Sequence, residues 1–327
     1  MSNILAGLLG ALLSTNQPAA LSNLVTQTTG LTVTIPDPDD PVEKEYKKIE
    51  EDDDAALAEV DKWIKDNQAF AAVGGGISKP VLNDRIHARL LPVRKEYEDF
   101  LERHPTHARG HLAFGAFLND ASDEDAAAAE FDKALKIDPN MPAAWNNLGN
   151  HYGEVGPVTN AFACYEKAIA ISPVEPLYYR NLASTVALFR KDAREFYHID
   201  EQQVFSKALE LFSKAMKLDP QNFELATDLA QTYYGIKPPR TDDALSAWTN
   251  ALKIASTDVQ REGVYVHLAR FKLNAERYAE ARQDLTVVTN AELQELKSRV
   301  LHNIEFREKA RLTNAPPAGG PAVEKKN

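Results

Sequence analysis

The sequence predicts an all-α fold, a solenoid of stacked helical hairpins closed by a C-terminal capping helix. Three observations lead there. Ala, Leu, Glu and Lys fill the middle of the chain, and strand formers never gather in alternating runs. From Ala108 onward, an apolar pattern at helical spacing returns about every 34 residues. Gly and Pro fall where the half-patterns end, at points where backbone freedom or a missing N–H breaks a helix. The 327 residues, 44% of them hydrophobic, suffice for a sizeable core.

Residues 1–40 read as an apolar leader followed by a disordered linker. Ile4–Leu13 (ILAGLLGALL) is too short to span a bilayer. Its length suits a signal-peptide core, but no Lys or Arg precedes it and no clean small-x-small cleavage site follows. Cytoplasm and export therefore fit equally. Residues 14–36 are rich in Ser, Thr, Asn and Gln and run into Pro36-Asp37-Pro38-Asp39-Asp40-Pro41, a linker and helix start. Residues 41–107 read as a helical pair. Val42, Tyr46, Ile49, Leu57, Val60 and Ile64 mark one helix, and Ile86, Leu90, Val93, Tyr97, Phe100 and Leu101 the other. Gly74-Gly75-Gly76 joins them as a flexible turn. A phosphate-binding loop would need a Gly-Lys-Ser/Thr after four intervening residues, and Pro80 stands where its helix should already run.

Five units follow, at 108–141, 142–175, 176–222, 223–258 and 262–295. The second is the most regular. Trp145, Leu148, Gly149 and Tyr152 mark one face of its first helix, and Ala161, Tyr165 and Ala168 one face of its second. Gly153, Gly156 and Pro157 form the turn, and Pro173 ends the unit. A hairpin of this size cannot bury its apolar stripe alone and needs neighbours like itself. The first unit carries His111, Phe114, Gly115, Leu118, then Ala127, Phe131, Ala134 and Pro139. In the third, an insertion at 189–201 (FRKDAREFYHIDE) separates Tyr179, Leu182, Ala183 and Val186 from Ala208, Phe212, Ala215 and Pro220. It either extends both helices into a projecting hairpin or packs on its own repeat. The fourth has Ala226, Leu229, Ala230, Tyr233, Ala244, Trp248 and Ala251, and its turn holds Pro238-Pro239. The fifth has Tyr265, Leu268, Ala269, Tyr278, Ala281, Leu285 and Val288, with Lys272 where an aromatic is expected. Residues 292–312 form the capping helix, with Leu293, Leu296, Val300 and Ile304 inward and charged residues outward, as the end of a repeat stack requires. The Pro/Gly-rich residues 313–327 read as a disordered tail.

The pattern W-x2-L-G-x2-Y…A…Y…A…P over 142–175 resembles the tetratricopeptide repeat. The other units match with conservative swaps, the fifth loosely, and the pair within 41–107 resembles a degenerate repeat. The chain is also similar to bacterial tetratricopeptide proteins that share the insertion and the YYGIKPPRTDDA turn. The resemblance implies a right-handed solenoid whose first helices line a concave groove. It places Asn146, Asn147 and Asn150 of the second unit in that groove. The third unit would add Arg180, Asn181 and Ser184, the fourth Thr227, Asp228, Gln231 and Tyr234, and the fifth His267 and Arg270. An asparagine amide offers a donor and an acceptor, so it can pair with the backbone of an extended peptide. Asn147 and Asn181 occupy the same repeat position, like the asparagine ladder of some peptide-binding members. Arg180 and Arg270 supply charge, but the lysines with which other members clamp a C-terminal carboxylate are absent. The alternative reading is that these asparagines only bond to neighbouring repeats.

The implied function is non-catalytic binding of a protein or extended peptide, as a scaffold or adaptor. A self-associating structural component of the envelope and an accessory subunit of a larger complex are the alternatives. The net charge of −11 argues against non-specific nucleic-acid binding. The surplus is local: residues 37–61 hold twelve Asp and Glu against three Lys. Cys164, the single cysteine, excludes an intramolecular disulfide and reads as a packed small residue. His107 and His111 have the spacing of metal ligands, but Pro105 separates His104 from them, and His111 fills the slot of Trp145. They read as packed or surface histidines, with no metal. No nucleophile-elbow, zinc-protease, dinucleotide or calcium-loop motif occurs, so neither an enzyme nor a cofactor is expected.

Overall fold

The computed structural model describes Asp37 and residues 39–314. The leader Ile4–Leu13, the linker up to residue 36 and the tail from residue 315 onward lie outside the described residues. The described residues form an all-α helical repeat with no strand. The chain divides into two compact units, 1–144 and 145–327.

The first unit opens with α1 (Pro41–Ala72) and α2 (Lys79–Arg103). The Asp40 side chain caps α1 by accepting from the Val42 N–H at 2.8 Å, and Pro41 supplies a preset φ at the first helical position. Tyr46, Ile49, Ala56 and Val60 recur at helical spacing on α1, and Leu90, Val93, Tyr97 and Phe100 do so on α2. The two stripes close on each other. Tyr97 and Phe100 are fully buried, which contributes about 2–3 kcal/mol each. At the hairpin tip, Asn67 holds the turn by donating to the Ile77 carbonyl (3.2 Å) and accepting from the Ile77 N–H (2.7 Å). The second hairpin is α3 (Ala108–Asp120) and α4 (Glu124–Ile137). Gly115 lets them approach: a Cβ there would lie 2.5 Å from the Phe131 ring. α1 has 32 residues and α2 has 25, against 13 and 14 for α3 and α4, so the first hairpin runs well past the second.

The boundary between the units falls inside α5 (Pro142–Val155). The second unit continues with α6 (Val158–Ile171), α7 (Pro176–Leu188), α8 (Arg190–Tyr197) and α9 (Glu201–Leu218). After these come α10 (Phe223–Thr232) with a 3-10 turn at Tyr233–Gly235, α11 (Thr241–Ile254), α12 (Asp258–Asn274), α13 (Tyr278–Thr286) and α14 (Gln294–Asn314). Packing runs between helices close in sequence: α6 on α7, α7 on α9, α9 on α10, α11 on α12, and α12 on α13 and α14. Gly149 repeats the device of Gly115, with Tyr165 2.7 Å from where its Cβ would be.

The insertion packs on its own surroundings and does not project as a hairpin. α7 ends at Leu188 because Phe189 leaves helical geometry (φ −100°, ψ 56°), and α8 starts at once. Ala193 is fully buried, and Phe196 and Tyr197 stand 5.4 and 5.5 Å, ring to ring, from Phe162 of α6. α9 then begins in a capping box between Asp200 and Gln203. In the fifth repeat, Lys272 takes the aromatic's slot by pairing with Asp284 at 2.7 Å, both side chains largely buried. α14 buries Val300 and Ile304 against Val266, Ala269, Leu273 and Leu285.

Candidate functional site

Three first helices of the second unit carry side chains with one spacing, i, i+1, i+4. On α5 these are Asn146, Asn147 and Asn150, on α7 Arg180, Asn181 and Ser184, on α10 Thr227, Asp228 and Gln231. That spacing puts the three on one side of each helix, and on α5 that side borders the Gly149–Tyr165 packing face, with Asn146 buried and Asn150 within reach of the Tyr165 hydroxyl. Tyr234 follows in the 3-10 turn, and His267 and Arg270 lie on α12.

Their polar groups meet across successive helices. Between α5 and α7, Asn181 Nδ2 donates to Asn146 Oδ1 (2.9 Å) and Asn150 Oδ1 (3.3 Å). Asn146 Nδ2 donates to Asn147 Oδ1 at 3.4 Å, and the Tyr165 hydroxyl donates to Asn150 Oδ1 at 2.9 Å. Asn146 is 3% exposed, Asn147 and Asn181 are half-buried, and Asn150 is exposed. Between α7 and α10, Arg180 reaches Asp228 with Nε (2.7 Å) and Glu224 with Nη1 (3.1 Å). Burial works against the Arg180 charge, but these two carboxylates outweigh it and raise its pKa. Thr227 turns back to its own helix, donating to the Glu224 carbonyl at 2.8 Å.

At the far end, the Tyr234 hydroxyl lies 2.9 Å from His267 Nδ1, and the Arg270 guanidinium lies 4.8 Å from the Tyr234 ring centre. His267 stacks on Trp248, centroids 4.0 Å apart and planes within 5°. Burial, aided by the Arg270 charge, lowers the His267 pKa to about 4. The neutral ring and the Tyr234 hydroxyl share one hydrogen bond, its direction set by the ring tautomer. Burial likewise raises the Tyr234 pKa to about 12.

Ser184 and Gln231 are exposed and line a cavity of about 370 Å³ between α7, α9 and α10. Asp228 and Thr232 share its polar rim, and Leu188, Phe205 and Phe212 give it apolar walls. The cavity was not foreseeable from groove spacing alone. Leu188 is 72% exposed at the end of α7, and Phe205 reaches the cavity because α9, with 18 residues, is longer than its counterpart α6, with 14. The Asp200-x-x-Gln203 capping signature marks that early start of α9 in the sequence.

The remaining candidates sit in the first unit or in cores. His107 Nδ1 caps α3 by accepting from the Gly110 N–H at 2.8 Å. His111 is 5% exposed, with Nδ1 2.6 Å from Glu130 and Nε2 3.0 Å from the Pro105 carbonyl. Among the described residues, no group of three or more His, Cys, Asp or Glu could hold a metal ion, and no helix is long and apolar enough to cross a membrane. Cys164 is buried on α6.

A sequence profile of the tetratricopeptide repeat matches residues 142–175, the hairpin of α5 and α6. The hairpin of α5 and α6 is thus a match to the tetratricopeptide repeat. Tetratricopeptide repeat protein 5 of Bos taurus is 26% identical over 171 residues, and that of Homo sapiens 25% over 176. Each alignment covers 51% of this chain, and the chain spans 38% of the length of each relative. Among solved structures it is similar to YrrB, described as a TPR protein with an unusual peptide-binding site. That likeness has a TM-score of 0.48 at 16% identity, over 65% of this chain and 97% of that one. MamA gives 0.43 at 19% identity over 54% and 95%, and PilF of Pseudomonas aeruginosa 0.48 at 16% over 80% and 99%. In this chain, amide and charged side chains pair between α5 and α7 and between α7 and α10, and those of α7 and α10 border a cavity with a polar rim and apolar walls.

Proposed function

We propose that the protein is a non-catalytic binding scaffold that holds an extended peptide across α5, α7, α10 and the second half of α12. The observation that supports this most is the row of linked polar side chains from Asn146 to Arg270, interrupted by the cavity at Ser184 and Gln231. An extended peptide exposes unpaired N–H and C=O groups; the exposed Gln231 amide can meet either, and Asn150, whose Oδ1 already accepts from Tyr165 and Asn181, can donate from Nδ2. The cavity beside them accepts one aliphatic or aromatic peptide side chain, while Leu188 gives its mouth an apolar lip. Arg180 is already neutralised by Asp228 and Glu224, so it positions α7 against α10 and does not offer a free charge.

The test is affinity selection from a peptide display library with two baits, wild type and Leu188→Asp/Gln231→Ala. Both substituted residues are exposed, so the fold is retained. Wild type is expected to enrich a peptide family with a recurring apolar position, and the variant to lose it by tenfold or more. The same enrichment by both baits contradicts the proposal.

A further inference from the structure

In the first unit, the α3–α4 hairpin turns at Asp123, which pairs with Arg94 of α2 at 3.0 Å. From that level α2 runs back to Lys79, about 22 Å further at 1.5 Å per residue. The tip it reaches is apolar. No charged residue stands between Asp66 and Lys79. Phe70, Val73, Ile77 and Val81 are 63%, 81%, 43% and 53% exposed. The turn that presents them is pinned. Asn67 bonds both backbone groups of Ile77, its Oδ1 taking the N–H at 2.7 Å. The N–H groups of Val73 and Gly75 donate to the Phe70 carbonyl at 3.2 and 2.8 Å, and that of Gly74 to the Ala71 carbonyl at 3.1 Å. Gly74 and Gly76 supply the positive φ that this path needs, 82° and 95°.

We propose that this tip docks on a lipid bilayer, inserting Phe70, Val73 and Ile77 into the interface of a zwitterionic membrane surface. Backbone favours lipid. An unbonded N–H is costly away from water, and the turn already satisfies those of residues 73, 74, 75 and 77 from within. Depth favours it too. Trp63 lies about 10 Å along α1 from Phe70, and the exposed Arg85 guanidinium sits 3.7 Å over its ring. With Phe70 at the acyl boundary, that pair falls at headgroup level, where an indole and a snorkelling cation both settle. Area disfavours a second protein. The four part-exposed side chains offer roughly 400 Å², half of the about 800 Å² that each partner of a stable protein pair buries. Charge selects the lipid. Around the cavity of about 580 Å³ behind the tip, Lys62 and Arg85 are matched by Glu59 and Asp66, and the whole chain carries −11. An anionic surface therefore gains nothing over a zwitterionic one.

The experiment uses the full chain with Cys164→Ala and one new cysteine, Val73→Cys at the tip or Ile137→Cys at the end of α4, each labelled with an environment-sensitive fluorophore. Phosphatidylcholine vesicles carrying a nitroxide on the acyl chain are expected to quench the label at 73 at least threefold more than the label at 137. Phe70→Ser/Ile77→Ser, which changes only exposed side chains, is expected to weaken vesicle binding read at position 73 at least fivefold. Replacing half of the lipid by phosphatidylglycerol is expected to leave that binding unchanged. Equal quenching at both positions, full binding by the Phe70→Ser/Ile77→Ser chain, or a tenfold gain with phosphatidylglycerol would overturn the proposal. So would an emission change at 73 that grows with protein concentration without vesicles, which would assign the tip to self-association.

Discussion

Lys272 shows how one residue can break a repeat pattern and keep the repeat. An aromatic belongs in its slot, yet its ammonium sits 2.7 Å from Asp284 with both side chains largely out of solvent. Removing one partner strands the other charge. Lys272→Met is expected to lower unfolding stability by about 2–3 kcal/mol in urea titrations, and Lys272→Met/Asp284→Leu to recover most of it. His267 makes a second prediction. Its pKa is about 4 in the folded protein, against an ordinary value near 6.5. The unfolded chain therefore binds the proton first. The stability from this group is complete above about pH 6.5 and is lost as the pH falls toward 4. Asp53 has the opposite sign: burial raises its pKa to about 6, so its share is complete below about 3.8 and is lost as the pH rises through 6. With Trp63 and Trp145 replaced by Phe, Trp248, stacked on His267, reports the second unit alone. Unfolding followed by its fluorescence at pH 7 and pH 4.5 is expected to show a smaller pH penalty for His267→Phe than for wild type, by about 2 kcal/mol.

Much was legible at the scale of helices. The all-α class followed from the period, and Trp145, Leu148, Gly149 and Tyr152 together with Ala161, Tyr165 and Ala168 announced one hairpin that neighbours must cover. The glycine at the repeat's close-approach position was legible for a physical reason: at Gly115 and Gly149 no side chain fits against the facing ring. Less was legible where packing depends on residues far along the chain. Asn146 and Asn150 look like free groove residues until Asn181 is placed beside them, 2.9 and 3.3 Å away. The insertion carries Arg, Lys and aromatics in the proportions of an interface, and only Phe162 on the preceding hairpin shows where its rings go. This yields a prediction for α8. Phe196→Ala is expected to cost about 2 kcal/mol in chemical unfolding, although a projecting hairpin would lose almost nothing.

Across the described residues, contacts within each unit are local, each helix packing on helices one to three places away in sequence. Such an array builds a long surface with little long-range constraint, and side chains on that surface are free to serve a ligand without holding the fold. The separation is incomplete here, because the asparagines that join α5 to α7 are the same residues that face the proposed peptide. The central claim is that the first helices of the second unit hold the ligand, with α9 alone among the second helices contributing, through Phe205 and Phe212 in the cavity wall. Hydrogen exchange on the full chain, with and without a peptide taken from the affinity selection, tests this most directly. The account predicts added protection in residues 145–155, 176–188, 223–235 and 258–274, with α6, α11 and α13 unchanged. Protection confined to those second helices, or to the first unit, would contradict it.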